Sequence, residues 1–257
     1  MSYERRALVA SPTAPAQAAA EELADTLDWV DPAEADVIIA LGGDGFMLQT
    51  LHSLLDRRGP PVPVFGMNLG TVGFLMNEFR DDDLLEHLEA AQRSVIHPLV
   101  MDVVDTEGRS HRARAINEVY LLRQTHQTAK LKIAVDGHVR LDLLIADGVL
   151  VATAAGSTAY NLSVGGPILP LDAKLLALTP ISAFRPRRWR GALLPDYAKI
   201  RIDVLDAPHR PVAAVADHTE FRRVCTVETS LDRATELVLL HDPGHSLDER
   251  ILREQFG

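Results

Sequence analysis

The chain has 257 residues, 47% of them hydrophobic and 24% charged, which is enough apolar material for one large or two modest folded domains. A formal net charge of −10 argues against a nucleic-acid partner, whose footprint is a basic field, but leaves phosphate-bearing small molecules open because they need only a local site. The single cysteine, Cys225, cannot pair within the chain, the N-terminal MSYERRALVASP holds no signal-peptide core, and no long apolar run is available to cross a membrane, so a cytoplasmic setting without a membrane partner is expected.

The first third alternates strand and helix. ALVAS (7–11) is a short apolar run, and the helix formers of 13–27 follow it. ADVIIALGG (35–43) is a continuous β-branched run, the pattern of a strand covered on both faces. Beyond it, Phe46, Met47, Leu48, Leu51, Leu54 and Leu55 recur at helical spacing. VPVFGMN (62–68) reads as a third strand and DDDLLEHLEAAQ (81–92) as a helix with acids at its start. This order predicts a Rossmann-like α/β domain with a parallel sheet over residues 1–94. From residue 95 the style changes to short strands parted by turns, at 99–108, 117–124, 131–137, 141–153, 197–206, 211–220 and 223–229. These predict a β-sandwich domain over 95–240. The tail, about 241–257, reads as a short amphipathic helix that completes the first domain.

The first strand-to-helix turn, Gly42-Gly43-Asp44-Gly45, carries an acid where such turns usually serve anions. No Gly-Lys-Ser/Thr follows it, and it is not Gly-x-Gly-x-x-Gly, so neither the P-loop nor the dinucleotide fingerprint applies. An aspartate at a phosphate turn is more useful to a hydroxyl than to a phosphate, since it can orient the nucleophilic oxygen and take its proton. The alternative for Asp44 is a plain helix N-cap. NLGTVGFL (68–75), with Gly70 and Gly73, leaves the neighbouring strand end and belongs beside the first turn; Gly42, Gly43, Gly70 and Gly73 form the candidate phosphate loop.

Further along, Asn117-Glu118 sets an amide and an acid side by side, and sharing one ligand requires a bend there because strand side chains alternate. DGVLVATAAGSTAYNLSVGGP (147–167) offers hydroxyls, small residues and one ring, Tyr160, a set suited to a purine. FRPRRWRG (184–191) concentrates Arg185, Arg187, Arg188 and Arg190 around a tryptophan; a solvated patch or subunit contact is favoured over a donor-phosphate site. Asp217 and His218 stand near a strand end and carry little weight. His52, His126 and Cys225 form no metal or nucleophile set.

Taken in order, GGDG (42–45), NLGxxGFL (68–75), NE (117–118), DG (147–148) and GSTAY (156–160) resemble the NAD kinase family over roughly residues 36–220. GGDG alone also occurs in lipid kinases, but the NE pair and the GSTAYN segment separate this chain from those. The resemblance implies a Rossmann-like domain, a β-sandwich domain and transfer of the γ-phosphoryl group of ATP, with Mg²⁺, to the 2′-hydroxyl of the adenosine ribose of NAD. It implies that Asp44 is the catalytic acid/base with Gly45 beside the substrate, and that Asn117 and Glu118 hold adenosine groups. Asp147 would lie near the nicotinamide amide, and Ala155, Thr158, Ala159, Tyr160, Ser163 and Ser182 would line the pocket. It also implies a homodimer or homotetramer. The family's usual Thr-Pro-Thr-Gly is here Thr153-Ala154-Ala155-Gly156, which removes a fixed φ and one hydroxyl beside the ligand. The rival readings are a lipid or sugar kinase and a catalytically silent NAD-binding sensor.

Overall fold

The computed structural model describes residues 3–70, 73–80 and 83–243, which divide into two compact units. The first takes in the described residues up to 96 and from 235 onward; the second is 97–234.

In the first unit, β1 (Arg6–Ala10), α1 (Ala14–Ala24), β2 (Val37–Gly42), α2 (Asp44–Leu54), β3 (Val64–Asn68), the two-residue β4 (Asn77–Glu78), α3 (Leu84–Ala90) and β5 (Gln92–Ile96) follow in order. β1, β2 and β3 are parallel neighbours; a strand from the far end of the chain, Leu237–His241, runs parallel to β3 on its other side and antiparallel to β5. All six residues of β2 are buried, as its unbroken apolar run requires. Val37, Ile39 and Leu41 pack with Phe65, Met67, Ala16, Leu23 and Leu88 into the core beneath α1 and α3. On α2 the apolar face holds, with Met47, Leu51 and Leu55 buried and Leu48 and Leu54 half-buried. The register of β3 with β2 leaves the two strands ending level, Gly42 opposite Asn68.

The second unit holds two antiparallel sheets. One has the order β10 (His138–Ala146), β9 (Ala129–Val135), β14 (Ile200–Val204), β17 (Val224–Leu231), β6 (Leu99–Asp105), β7 (Ser110–Ala115). The other runs β13 (Ala192–Pro195), β12 (Leu175–Ile181), β11 (Gly148–Ala152), β8 (Glu118–Arg123), β15 (Val212–Ala216), β16 (Thr219–Phe221). Their facing sides share one core, in which Leu99, Met101, Ile133 and Ile202 of the first sheet meet Val119, Leu121, Val149 and Val151 of the second. Each such side chain contributes roughly 1.5–3 kcal/mol by leaving water. β11 is buried on both faces: Val149 and Val151 point into the sandwich, while Leu150 and Ala152 lie under Ala154, Leu169 and Tyr160. The segment covering that outer face is the hydroxyl-rich stretch singled out in the sequence.

The expected parallel sheet and sandwich are both present. The single strand expected over 141–153 is two, β10 and β11, parted at Asp147; a Cβ at Gly148 would stand 1.9 Å from the Leu121 carbonyl oxygen, so only glycine lets the strands approach there. β5, β7, β12, β13 and Leu237–His241 were not foreseen. The helix expected over 241–257 lies outside the described residues, apart from His241, which ends a strand, and residues 242–243. Among the described residues no helix is long and apolar enough to cross a membrane.

Candidate active site

One cluster of candidate residues lies at the carboxyl ends of β2 and β3, where open α/β sheets bind ligands. β2 ends at Gly42, and a Cβ there would sit 3.0 Å from Phe46 Cβ and 3.1 Å from Ser11 Cβ, so a larger residue would require these neighbours to give way by a few tenths of an ångström. Gly43 and Gly45 differ: a Cβ at either, or at Gly70, meets nothing within 4 Å. The fold leaves room beside those three glycines that a side chain would fill.

Gly43, extended at φ −127°, is the N-cap of α2, and Asp44 is its first helical residue. The N-cap alternative for Asp44 therefore falls away. Its carboxylate reaches instead to the neighbouring loop, accepting the Phe74 N–H at Oδ2 (2.6 Å) and the Leu75 N–H at Oδ1 (3.0 Å). The Leu69 N–H donates to the Gly42 carbonyl at 2.9 Å, and Asn68 brackets Gly70 through its amide. The two glycine loops thus stand together as the sequence anticipated. Gly73 has its reason too, since a Cβ there would lie 2.2 Å from Asp44 Oδ1 and 2.4 Å from Cγ. Each carboxylate oxygen keeps a second lone pair for a hydroxyl. The charge-assisted amide bonds fix where those lone pairs point.

A separate cluster of candidate residues is built in the other unit, around Asn117 and Glu118. The bend the pair requires is present at residues 116–117, just ahead of β8, and frees Asn117 from strand alternation. Asp217 creates it. Sitting at φ 49° in the turn between β15 and β16, it accepts the N–H groups of Ile116 (2.6 Å), Asn117 (3.0 Å) and Glu118 (3.1 Å). Thr153 joins this bend to the hydroxyl-rich segment: its hydroxyl donates to the Ile116 carbonyl at 2.8 Å and accepts the Gly156 N–H at 3.0 Å. Gly156 presses on Asn117 so closely that a Cβ would meet the Asn117 carbonyl oxygen at 2.1 Å.

Two buried polar atoms here are left over. Among the described residues, nothing hydrogen-bonds Asn117 Oδ1 or Glu118 Oε2. An unmet polar atom shut off from solvent costs about 1–3 kcal/mol, so this pair is ready for a ligand's donors and acceptors. Burial, and then the Asp217 carboxylate, push the Glu118 pKa up to about 8 against the lowering effect of the Tyr160 amide. At neutral pH Glu118 therefore carries a proton and can donate as well as accept.

The remaining expected residues fall into three groups. Ala155 is buried, whereas Thr158, Ala159 and Tyr160 are half-buried beside the pair, with the Tyr160 ring edge-on to Tyr120 at 5.1 Å. Ser157 and Asn161, by contrast, are structural: Ser157 bonds Ala154 and Leu169, and Asn161 bonds Ser157, Pro167 and Thr179. Asp147 is engaged by the Arg123 guanidinium. Ser163 and Ser182 are exposed and together line a cavity of about 360 Å³ with Arg187, Trp189 and Arg190, which brings part of the arginine-rich segment to the expected pocket residues. Arg185 and Arg187 lie 5.6 and 5.7 Å from the exposed Phe184 ring centroid. Among the described residues no three His, Cys, Asp or Glu side chains cluster to hold a metal ion.

Ala154, in place of the proline that the resemblance implies, already adopts φ −59°, inside the range a proline ring imposes. The loop keeps its shape without the ring. Asp217 is the residue that sequence reasoning undervalued, because all three of its partners here are main-chain amides about a hundred positions away.

Two family models match the chain, the ATP-NAD kinase N-terminal domain over residues 7–94 and the ATP-NAD kinase C-terminal domain over 116–231. The NAD kinase of Zymomonas mobilis is 59% identical over 256 residues, covering 100% of this chain and 99% of its own. That of Caulobacter vibrioides is 58% identical over 242 residues, covering 94% of this chain and 92% of its own. Among solved structures, yeast NADH kinase complexed with NADH superposes with a TM-score of 0.79 at 22% identity, covering 100% of this chain and 88% of that one. An NAD kinase from Archaeoglobus fulgidus in complex with ATP gives 0.74 at 24% identity, over 99% and 98%. At such identities the two structures speak for the fold.

Proposed function

The chain belongs to the ATP-NAD kinase family, its reaction is transfer of the γ-phosphoryl group of ATP to the 2′-hydroxyl of the adenosine ribose of NAD to give NADP, and from that premise we propose which of its residues perform each part. Asp44 is the base. The observation that carries this is its carboxylate, fixed by the Phe74 and Leu75 amides at the open end of a glycine turn with lone pairs to spare. It orients the ribose hydroxyl and accepts its proton as the oxygen bonds to phosphorus and ADP departs. The backbone around Gly42, Gly43 and Gly45 at the N-terminus of α2, with that of Gly70 and Gly73 on the loop after β3, faces the phosphates.

Asn117 and Glu118 hold the adenosine. The unmet Asn117 Oδ1 accepts from a ligand N–H or O–H, and protonated Glu118 donates while its other oxygen keeps the Tyr160 amide. Thr158, Ala159 and Tyr160 support the purine beside them. Ser163 serves the adenine side with them, Asp147 serves the nicotinamide amide, and Ala155 and Ser182 line the pocket.

A divalent cation such as Mg²⁺ fits a site of this kind best as a passenger on the donor's phosphates. The chain clusters no three ligands among the described residues, and Mg²⁺ typically takes one or two carboxylates plus phosphate oxygens. Asp44 is the one turn carboxylate able to lend it an oxygen, and the ion would neutralise charge building on the transferred group. Cytoplasmic residence and assembly as a homodimer or homotetramer belong to the same reading, supported by family membership alone.

The test is NADP formation from NAD, ATP and Mg²⁺, detected with an NADP-specific dehydrogenase. Wild type is expected to produce NADP, and Asp44→Asn to lower turnover by roughly 10²-fold or more with NAD binding within a few-fold. Unchanged turnover in Asp44→Asn would remove the acid from the mechanism.

A further inference from the structure

The first unit carries a second cavity, of about 560 Å³, at the opposite end of its sheet. Its lining comes from the residues just before the parallel strands begin: Tyr3 and Arg5 ahead of β1, Ala35 and Asp36 ahead of β2, and the proline-rich run 60–63 ahead of β3. Arg57 and Arg58, just beyond the C-terminal end of α2, and Arg93 of β5 complete it. Four arginines thus face one aspartate in a protein whose net charge is −10. The Asp36 carboxylate accepts the Glu4 and Arg5 amides, and its single charge leaves the lining net positive.

Arg57 is held by backbone carbonyls, donating to Pro32 at 2.7 Å, Ala33 at 2.9 Å and Ala35 at 3.0 Å. Its charge is therefore locked at the rim of the cavity by neutral partners. Arg5 and Arg58 are exposed around it. Tyr3 and the prolines add a flat, apolar wall. The volume is that of a small-molecule site, and the combination of a convergent cationic rim with an apolar wall is what a phosphate-bearing small molecule requires.

The cavity is separate from the catalytic turn. β2 runs six residues from Val37 to Gly42, so about 17 Å of strand lies between them. α2 spans the same gap, with Asp44 as its first residue and Arg57 just past its last.

We infer that this cavity is a second anion site, taking a small molecule with two or more linked phosphates, distinct from the phosphates that react at Asp44. The recognised chemistry is the phosphate chain, and its source is either a nucleotide or an inorganic polyphosphate.

Titration calorimetry of the full chain with ADP and, separately, with inorganic tripolyphosphate tests it. Wild type is expected to bind at least one probe in the micromolar to low-millimolar range at about 0.1 M salt. Arg5→Glu with Arg58→Glu should weaken that binding by roughly tenfold or more, while Arg5→Lys with Arg58→Lys stays within about threefold because a phosphate chain accepts point charges. Both double variants should phosphorylate NAD at the wild-type rate, which also reports that they fold. A loss in the glutamate variant that is larger for ADP than for tripolyphosphate identifies a nucleotide site, whereas an equal or larger loss for tripolyphosphate identifies recognition of the phosphates alone. Identical affinities in wild type and the glutamate variant, no heat with either probe up to about 5 mM, or loss of NAD phosphorylation in the glutamate variant would each overturn the assignment.

Discussion

Replacing Gly73 by alanine adds a single methyl group, and the structure states where it goes. It would lie 2.2 Å from Asp44 Oδ1, 2.4 Å from Cγ and 2.6 Å from Oδ2, all well inside contact distance. Asp44 has a short side chain anchored on the first residue of α2, so its carboxylate cannot swing clear without leaving the Phe74 and Leu75 amides. Either the carboxylate moves by about an ångström or the loop retreats, taking both amides with it. Hydrogen bonds to a charged group contribute roughly 1.5–3 kcal/mol each, and partial replacement by water leaves a net loss of about 1–3 kcal/mol. The effect on catalysis is larger in proportion, because misplacing a reacting group by about an ångström can reduce the rate by about 10²-fold. Gly73→Ala should therefore lower kcat by roughly 10- to 100-fold in the NADP-forming assay, with the KM for NAD changed by no more than about threefold. Thermal unfolding supplies the control. In an Asp44→Ala background the clash no longer exists, so Gly73→Ala should shift Tm there much less than in wild type. A Gly73→Ala enzyme with kcat within about twofold of wild type would show that the position of the carboxylate does not govern turnover.

Asp217→Ala strips the acceptor from the amides of Ile116, Asn117 and Glu118; Michaelis kinetics should show kcat/KM for NAD lowered by about tenfold or more, since the bend positions the adenosine whose ribose hydroxyl reacts. Glu118 has its folded pKa raised to about 8, so in the window from its unfolded value near 4.5 up to about 8 the native state holds the proton that the unfolded state releases, and stability falls as pH rises. Glu118→Gln removes that dependence, and its Tm advantage over wild type should grow between pH 5 and pH 8 by thermal unfolding; a constant difference across that range would place the proton elsewhere. Ala154→Pro suits the existing φ of −59° and should stabilise the chain by about 0.4–1 kcal/mol in denaturant titration, whereas a loss would reveal a steric or hydrogen-bond conflict at that position.

What the sequence disclosed and what it withheld have a common cause. β2 was readable because a strand buried on both faces must be apolar throughout, and the turn after it because glycine and aspartate have few other reasons to alternate there. The proximity of the 68–75 loop followed from two parallel strands ending together. The grip of Asp44 on the Phe74 and Leu75 amides was not readable, since main-chain donors carry no residue signature. The same holds for Asp217, which looks like any aspartate at a strand end until β15 brings it against β8. β12 escaped notice because Pro180 interrupts its apolar run, and Leu237–His241 because its partners lie in a sheet that began more than a hundred residues earlier. Ser157 is the opposite case: a hydroxyl in the richest stretch of the chain that turns inward to Ala154 and Leu169.

The pairing of Leu237 with Ile96 makes β5 and the final described strand the two arms of a hairpin whose loop is the whole sandwich. During synthesis the first unit cannot finish its sheet from the residues made before the sandwich, because the strand that lies between β3 and β5 follows the sandwich in the chain. Until then β3 and β5 present open edges, the state in which strands recruit unwanted partners. Bringing the arms together across an unstructured connection of that length carries a closure entropy that grows with the logarithm of the loop. A sandwich that has already folded removes most of that entropy by delivering its two ends side by side. Insertion at a hairpin therefore sets an order of assembly, in which the later-made unit prepares the earlier one for completion.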